Sequence, residues 1–146
     1  MVIADTGLWI ALACSQDQYH EPAKKCLAEL ATRNERLITI CAVMTKTCHL
    51  LLARAGGDAQ LSFIEKYHRR LFDVFELYAG YAAQIARLME KYSDLPTDLA
   101  DASLVILAEH LRHGRILSTD ERDFRTYRWK NRKPFENLLF GTYIHS

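Results

Sequence analysis

Three aspartates of this chain stand where a carboxylate is a poor structural choice. Asp5 follows the apolar residues 2–4, Asp120 follows a short apolar run that ends in hydroxyls, and Asp101 begins an apolar stretch. Carboxylates at two strand ends and one helix start can meet in a single cleft of an α/β sheet. At about 4 Å they repel by roughly 4 kcal/mol at an effective dielectric of 20, unless a cation lies among them. Because Mg²⁺ and Mn²⁺ prefer hard oxygen ligands, the pattern predicts a metal-dependent enzyme that acts on phosphate.

Each acidic residue also has an ordinary structural explanation. Asp98 and Asp101 are three residues apart, as are Asp120 and Asp123, so each pair can share one helical face. Asp98 fits an N-cap equally well, and Asp5 and Asp120 can cap the helices that follow them. Asp123 can pair with a neighbouring arginine at the surface. The joint placement of these residues, rather than any one of them, favours the metal site.

The elements that must position these acids can be read from the hydrophobic pattern. It predicts strands at 2–4, 37–41, 71–77 and 115–118, with a last edge strand at 135–140. Helices are predicted at 8–14, 21–33, 42–54, 59–69, 81–92 and 98–112, the first capped by Thr6. Strands separated by helices indicate a three-layer α/β fold, with a mostly parallel sheet of four to five strands flanked by helices. We expect one domain over residues 1–140 and a C-terminal tail at 141–146, native or added in cloning.

The composition of the 146 residues is that of an ordinary globular protein, and its net charge of +1 neither favours nor excludes a nucleic acid. No apolar run approaches the ~20 residues that a membrane span needs, and the N-terminus lacks the pattern of a secretory signal. The cysteines have no CxxC spacing, so we expect reduced thiols in a cytoplasmic protein. They are Cys14, Cys26, Cys41 and Cys48.

Three motifs carry a resemblance to a known family. They are Val-Ile-Ala-Asp-Thr-Gly at 2–7, Asp-Leu-Ala-Asp-Ala-Ser-Leu-Val at 98–105 and Leu-Ser-Thr-Asp-Glu-Arg-Asp-Phe at 117–124. Together they resemble the PIN domain, and most of all the toxin ribonucleases of VapBC toxin–antitoxin pairs, over residues 1 to about 140. The resemblance implies a PIN-like fold, a Mg²⁺ or Mn²⁺ cofactor and endonucleolytic cleavage of RNA by metal-activated water. By position it implies that Asp5, Asp101 and Asp120 bind the metal and that Thr6, Asp98, Thr119 and Asp123 are auxiliary residues.

One position departs from the family. Where the family has a glutamate early in the helix after the second strand, residues 43–51 read Val-Met-Thr-Lys-Thr-Cys-His-Leu-Leu, so Lys46 occupies the acidic position. An ammonium among three carboxylates would neutralise part of their repulsion and compete with the cation. We therefore predict a chain that folds normally but binds metal poorly and is weakly active or inactive, whether the lysine is natural or was selected in cloning. The alternative is that Lys46 faces solvent and the alignment is off by one turn.

RNA binding requires cations along the path of the backbone. The densest basic segment follows the late acidic motif, and it is either an RNA-binding surface with aromatic side chains for base stacking or a solvated loop. Its candidates are Arg122, Arg125, Arg128 and Lys130, with Tyr127 and Trp129 as stacking residues. The resemblance also implies a small VapB-type antitoxin that inserts a segment into the cleft, and a homodimer. Helices near 21–34 and 42–68 are the expected surfaces for both.

Two other functions compete with the toxin ribonuclease. The first is a catalytically silent PIN-like module that binds RNA or a protein, which Lys46 favours. The second is a hydrolase of the phosphatase or flap-nuclease kind that uses the same acids on DNA. A phosphatase usually carries a second aspartate two residues after the first, and Asp5-Thr6-Gly7 lacks it.

Overall fold

The computed structural model of the protein describes residues 1–140, so the predicted tail at 141–146 lies outside the described residues. The first half forms β1 (Val2–Ala4), α1 (Thr6–Ala13), α2 (His20–Thr32), β2 (Leu37–Ile40), α3 (Cys41–Ala55) and α4 (Gly57–His68). The second half forms β3 (Phe72–Phe75), α5 (Ala82–Lys91), α6 (Leu99–Leu111), β4 (Arg115–Leu117), α7 (Glu121–Thr126), β5 (Arg128–Trp129), β6 (Lys133–Pro134) and β7 (Glu136–Asn137).

The central sheet has five strands in the order β3-β2-β1-β4-β7, and every pairing in it is parallel. Helices cover both faces, which confirms the predicted three-layer α/β fold. The last edge strand is shorter than predicted: only Glu136 and Asn137 pair, and Leu138–Phe140 form a 3₁₀ turn. A small antiparallel pair, β5 with β6, was not predicted.

The two faces of the sheet divide the core. On β1, Ile3 packs with residues of α5 and α6, whereas Val2 and Ala4 pack with residues of α1, α2 and α4 on the opposite face. Successive side chains of a strand point to opposite faces, so a strand that is buried throughout fixes two helical layers at once. Among the described residues, no helix is long and apolar enough to cross a membrane.

Most of helix α6 is buried in the core, since every residue from Ala100 to Ala108 is buried. It therefore carries Asp101 into the interior. Strands β1 and β4 are neighbours in register, Ala4 beside Leu117, so the residues that follow them emerge side by side. The fold thus brings two strand ends and one helix start to the same edge of the sheet.

Candidate metal centre

Asp5 lies at the junction of β1 and α1. Its Oδ1 accepts a hydrogen bond from the backbone N–H of Thr6 at 2.7 Å, so Asp5 is the N-cap of α1, and the prediction that Thr6 caps this helix is wrong. Its Oδ2 accepts a hydrogen bond from the Ser118 hydroxyl at 2.8 Å. Burial raises the pKa of Asp5, while these two hydrogen bonds act in the opposite direction.

Asp120 caps α7 in the same way, and its Oδ1 accepts the backbone N–H of Asp123 at 3.3 Å. Its own N–H donates to the Ser118 hydroxyl oxygen at 3.0 Å, so Ser118 ties this loop to Asp5. Burial raises the pKa of Asp120 to about 6, and the adjacent Asp123 side chain adds to the increase. Asp123 is itself buried, and Arg122 Nε donates to it at 3.0 Å.

Asp101 is in the first turn of α6. The Tyr127 hydroxyl donates to its Oδ2 at 3.1 Å and also lies 3.0 Å from the Thr97 hydroxyl. Burial raises the pKa of Asp101 to about 7, and repulsion from Asp98 and then Asp5 contributes. Asp98 is the N-cap of α6, accepting the N–H of Asp101 at 2.9 Å. The carboxylates of the cleft thus repel one another at the end of a buried helix.

Lys46 extends from α3 into this cleft. Its Nζ lies 3.0 Å from Asp98 Oδ2. Burial lowers the pKa of Lys46, but the hydrogen bond and attraction to Asp98, with attraction to Asp101 and Asp5, raise the pKa above its ordinary value. The lysine is therefore an ammonium among the acids, and the alternative in which it points away from them does not hold.

A cleft of about 210 Å³ collects most of the predicted site. Asp98 and Asp123 adjoin this cleft through their contacts with Lys46 and Asp120. The residues that line it are Asp5, Thr6, Gly7, Ile10, Asp17, Lys46, Leu50, Arg54, Asp101, Thr119 and Asp120. The basic candidates Arg122, Arg125, Arg128 and Lys130 are not among these lining residues.

One group of acids is close enough to share a cation. Asp101, Asp120 and Asp123 each offer a carboxylate oxygen, and these oxygens lie within 4.8 Å of one another. Three hard oxygen donors beside an open cleft fit Mg²⁺ or Mn²⁺, which keep several water ligands. The raised pKa values of Asp101 and Asp120 fit the same interpretation, because a cation would hold both groups ionised at neutral pH. The donor set therefore fits a divalent ion.

Two features of the site were not predicted. Ser118 and Tyr127 are the donors that orient Asp5 and Asp101, and nothing in the local sequence shows partners so far away along the chain. Gly7 is required because a Cβ there would lie 1.8 Å from the Thr119 Oγ1. The glycine in the triplet Asp-Thr-Gly could have indicated that another segment comes close at Gly7. The sequence does not show that this segment contains Thr119.

The two aromatic side chains proposed for base stacking are buried. Tyr127 is inaccessible, and the indole N–H of Trp129 donates to the carbonyl of Pro134 at 3.1 Å. The prediction that they stack on RNA is therefore wrong. Tyr127 instead helps to stabilise the core, where its ring makes edge-on contacts with Tyr92 and Phe124.

The basic candidates have protein partners of their own. Arg125 pairs with Glu121 at 3.3 Å, and the Arg128 guanidinium donates to the carbonyl of Arg125 at 2.7 Å. Lys130 lines a separate depression beside Glu109. Their role in RNA binding stays a prediction. A different cation, Arg54, lines the acidic cleft together with Lys46.

The fold therefore forms an acidic cleft at the carboxyl edge of a parallel sheet, and the residues of this cleft fit a divalent ion. The model of the PIN domain family matches residues 2–130, and the chain belongs to this family. The resemblance drawn from the three sequence motifs is thereby confirmed.

Two relatives from Mycobacterium tuberculosis extend this finding. Ribonuclease VapC26 of strain ATCC 25618 / H37Rv is 28% identical over 127 residues, which cover 87% of this chain and 92% of that protein. The crystal structure of VapC20, described as a sarcin–ricin loop cleaving toxin, superposes with a TM-score of 0.72 at 19% identity, covering 82% of this chain and 90% of that one. The second likeness shows a shared fold.

Proposed function

We propose that this protein is an endoribonuclease of the toxin type that depends on Mg²⁺ or Mn²⁺. The observation that carries the proposal is the convergence of Asp5, Asp101 and Asp120 in one cleft of a PIN-family chain. The name of the relative VapC26, a ribonuclease, supports RNA as the substrate.

In this proposal Asp5, Asp101 and Asp120 hold the divalent ion. When bound, such an ion lowers the pKa of a water ligand and neutralises charge on the attacked phosphate. The protein orients the ligands: Ser118 fixes Asp5, and Tyr127 fixes Asp101. Removing partners of this kind typically costs 10- to 100-fold in metal affinity or activity, on the order of 1 to 3 kcal/mol.

Two further groups in the cleft serve the substrate. Arg54 places a guanidinium beside the acids, where it can attract the phosphate that the carboxylates alone would repel. The hydroxyl of Thr119 lines the same cleft and offers a hydrogen-bond donor to a phosphate oxygen. In these roles Arg54 and Thr119 would bind the scissile phosphate at the mouth of the cleft.

We propose in addition that Lys46 reduces activity. Its ammonium is held in the cleft by Asp98 and attracts Asp101 and Asp5, so it competes with a divalent ion for the same carboxylates.

The test is Mn²⁺-dependent cleavage of a labelled RNA pool by the unsubstituted chain and by its Lys46→Glu variant. We expect cleavage by the Lys46→Glu variant to be faster by about 10- to 100-fold, because the change removes a competing cation and adds a ligand. The control Asp101→Asn in the Lys46→Glu background should abolish cleavage. Equal rates for the unsubstituted chain and the Lys46→Glu variant would contradict the inhibitory role. Cleavage that survives Asp101→Asn would contradict the metal-dependent mechanism.

A catalytically silent PIN-like module is the second candidate, and the Lys46–Asp98 ion pair favours it. If this candidate is correct, the chain and its Lys46→Glu variant should both bind single-stranded RNA, and neither should cleave it. Branched DNA belongs in the same assay, since cleavage of DNA but not RNA would point to a flap-nuclease type of activity.

The proposed protein partner is a VapB-type antitoxin. A cleft lined by four carboxylates suits an arginine side chain, which can bind a carboxylate through two parallel hydrogen bonds. An arginine inserted there would exclude both metal and RNA. A peptide with a central arginine should therefore protect the cleft from Mn²⁺, whereas the same peptide with glutamine should not.

A further inference from the structure

The loop between β3 and α5 carries the most exposed aromatic side chain of residues 1–140. Tyr78 is 66% exposed, and it follows soon after the end of β3. An aromatic side chain stabilises a fold mainly through the area that its ring buries. Because most of Tyr78 is in solvent, the stability of the fold does not by itself explain an aromatic residue at this position.

The Tyr78 ring is nevertheless held in place. The Tyr78 carbonyl accepts a hydrogen bond from the N–H of Tyr81 at 3.0 Å, which closes the 3₁₀ turn Ala79–Tyr81. The centroid of the Tyr78 ring lies 4.7 Å from that of Tyr81, and the Tyr81 ring lies 6.0 Å from that of Phe75. Gly80 leaves space for the ring, since a Cβ there would lie 2.6 Å from Tyr78 Cε2. An exposed ring that its neighbours already order loses little conformational freedom when it binds a partner.

This loop lies at the same edge of the sheet as the acidic cleft. Ile38 of β2 pairs with Ile3 of β1, and Ile40 of β2 pairs with Phe75 of β3. Asp5, two residues beyond the first pair, is therefore level with Ile40 and Phe75. Neighbouring strands are about 4.8 Å apart, so about 10 Å separate Asp5 from the end of β3. The loop thus begins within reach of an RNA strand that enters the cleft.

Few other aromatic side chains are available to such an RNA. Tyr127 and Trp129, the residues proposed from the sequence, are buried. Tyr67 is 45% exposed, but its ring stacks on that of Phe72, the first residue of β3, and so lies at the opposite edge of the sheet. Within residues 1–140, Tyr78 is the exposed aromatic side chain at the edge that holds the cleft. An unpaired base is the ligand that suits such a ring, because every base has a π-face.

We propose that the ring of Tyr78 stacks with an unpaired base of the RNA, a few nucleotides from the scissile phosphate. This inference rests on the proposed function, because it takes RNA as the substrate, and it adds a binding site outside the acidic cleft. Stacking of this kind accepts any base, so Tyr78 contributes affinity for RNA rather than sequence specificity. Bases inside a duplex are already stacked on their neighbours, so the site favours single-stranded over double-stranded RNA.

Fluorescence anisotropy of a labelled single-stranded RNA of about 12 nucleotides tests the site, with EDTA present so that binding is measured apart from cleavage. Tyr78→Ala should weaken binding by about 5- to 100-fold, because the stacking ring is lost. Tyr78→Phe keeps the ring and should bind within about twofold of the unsubstituted chain. Tyr67→Ala removes the other exposed tyrosine and is the matched control, which should leave binding unchanged. Circular dichroism checks that each variant is folded.

A set of RNAs, each with one abasic nucleotide, locates the stacked base. For the unsubstituted chain we expect binding to weaken when the abasic nucleotide occupies about one or two particular positions. Tyr78→Ala should bind those RNAs as well as it binds the intact RNA, because it has no ring for the missing base to contact.

Three results would overturn the inference. They are equal affinity of Tyr78→Ala and the unsubstituted chain, equal losses in Tyr78→Ala and Tyr67→Ala, or a loss in Tyr78→Phe as large as that in Tyr78→Ala. RNA binding that depends on the Tyr78 ring, with cleavage by neither the unsubstituted chain nor Lys46→Glu, would contradict the proposed function and leave the inference intact. Mn²⁺-dependent cleavage by Lys46→Glu with a KM that Tyr78→Ala does not change would do the reverse.

Discussion

The surroundings of Asp101 favour the protonated form of its carboxyl group. It is 5% exposed, its pKa is raised by burial to about 7, and it also faces the charges of Asp98 and Asp5. The Tyr127 hydroxyl favours the ionised form of Asp101, because it donates a hydrogen bond to the carboxylate. Burial and the acidic neighbours in turn raise the pKa of Tyr127. In the absence of a divalent ion, the folded protein should therefore hold a proton at Asp101 that the unfolded chain has lost.

This difference predicts how stability depends on pH. The ordinary pKa is 3.8 and the folded value about 7, so between them the folded state binds more protons than the unfolded chain. The free energy of unfolding should thus fall as pH rises through this window. Urea denaturation in EDTA at about pH 5 and about pH 7.5 measures the slope, and Asp101→Asn should reduce it.

The control is Asp73→Asn on β3. Its hydrogen bond with Arg36 lowers the pKa of Asp73, so the titration of Asp73 lies below the window and its removal should leave the slope unchanged. Saturating Mn²⁺ should flatten this slope for the unsubstituted chain, since the ion binds the ionised carboxylates. Stability that rose between these two pH values in EDTA would contradict the raised pKa.

At the scale of elements, the approach of α1 to the loop after β4 depends on Gly7. A methyl group at Gly7 would lie 1.8 Å from Thr119 Oγ1 and 2.8 Å from its Cβ, and neither atom belongs to a long flexible side chain. We expect Gly7→Ala to lower the free energy of unfolding by about 1–3 kcal/mol, as overpacking does. Thermal and urea denaturation would measure it.

The chain offers a matched control for this substitution. Gly57, the first residue of α4, has nothing within 4 Å of an added Cβ, so Gly57→Ala should be neutral or slightly stabilising. Thr119→Gly should restore part of the stability lost in Gly7→Ala, because it removes the clashing atoms. Equal effects at Gly7 and Gly57 would show that the contact with Thr119 is not what requires glycine.

The strands and helices around the site were predictable from the sequence because their burial leaves a strong pattern. β1 and β4 are short, apolar along their buried residues and soon followed by an acid, and α6 repeats small and apolar residues over its buried length. Parallel strands then bring their carboxyl ends to one edge of the sheet without further information. The meeting of Asp5, Asp101 and Asp120 in one cleft follows from these facts.

The contacts that orient the acids were not predictable in the same way. The hydrogen bond from Ser118 to Asp5 spans 113 residues, and the one from Tyr127 to Asp101 spans 26, so neither leaves a local pattern. The 135–140 segment was predicted as a strand from its apolar residues. Asn137 instead bonds Ser118 through its side chain and ends the pairing, and Leu139 turns into the core. Apolar composition alone does not separate these two structures.

At the scale of the whole molecule, apolar residues on α4 remain exposed. Leu61 is 66% exposed and Ile64 is 41% exposed, and their spacing of three places them on one helical face. Exposed apolar surface of this kind is typical of protein interfaces, and α4 belongs to the segment 42–68 in which the family resemblance implies a homodimer. We therefore propose that copies of the chain associate through α4.

Light scattering after size-exclusion chromatography tests this association. The unsubstituted chain should elute with the mass of two chains, about twice 16.8 kDa, over a range of micromolar concentrations. Leu61→Lys with Ile64→Lys should give a monomer, because two ammonium groups would be buried without partners at the interface. Tyr78→Lys, which places a charge at a 66% exposed aromatic residue after β3, is the control and should leave the dimer intact. A monomeric mass for the unsubstituted chain at the highest concentration would contradict the dimer. Dissociation by Tyr78→Lys but not by the α4 substitutions would move the interface to the surface around Tyr78.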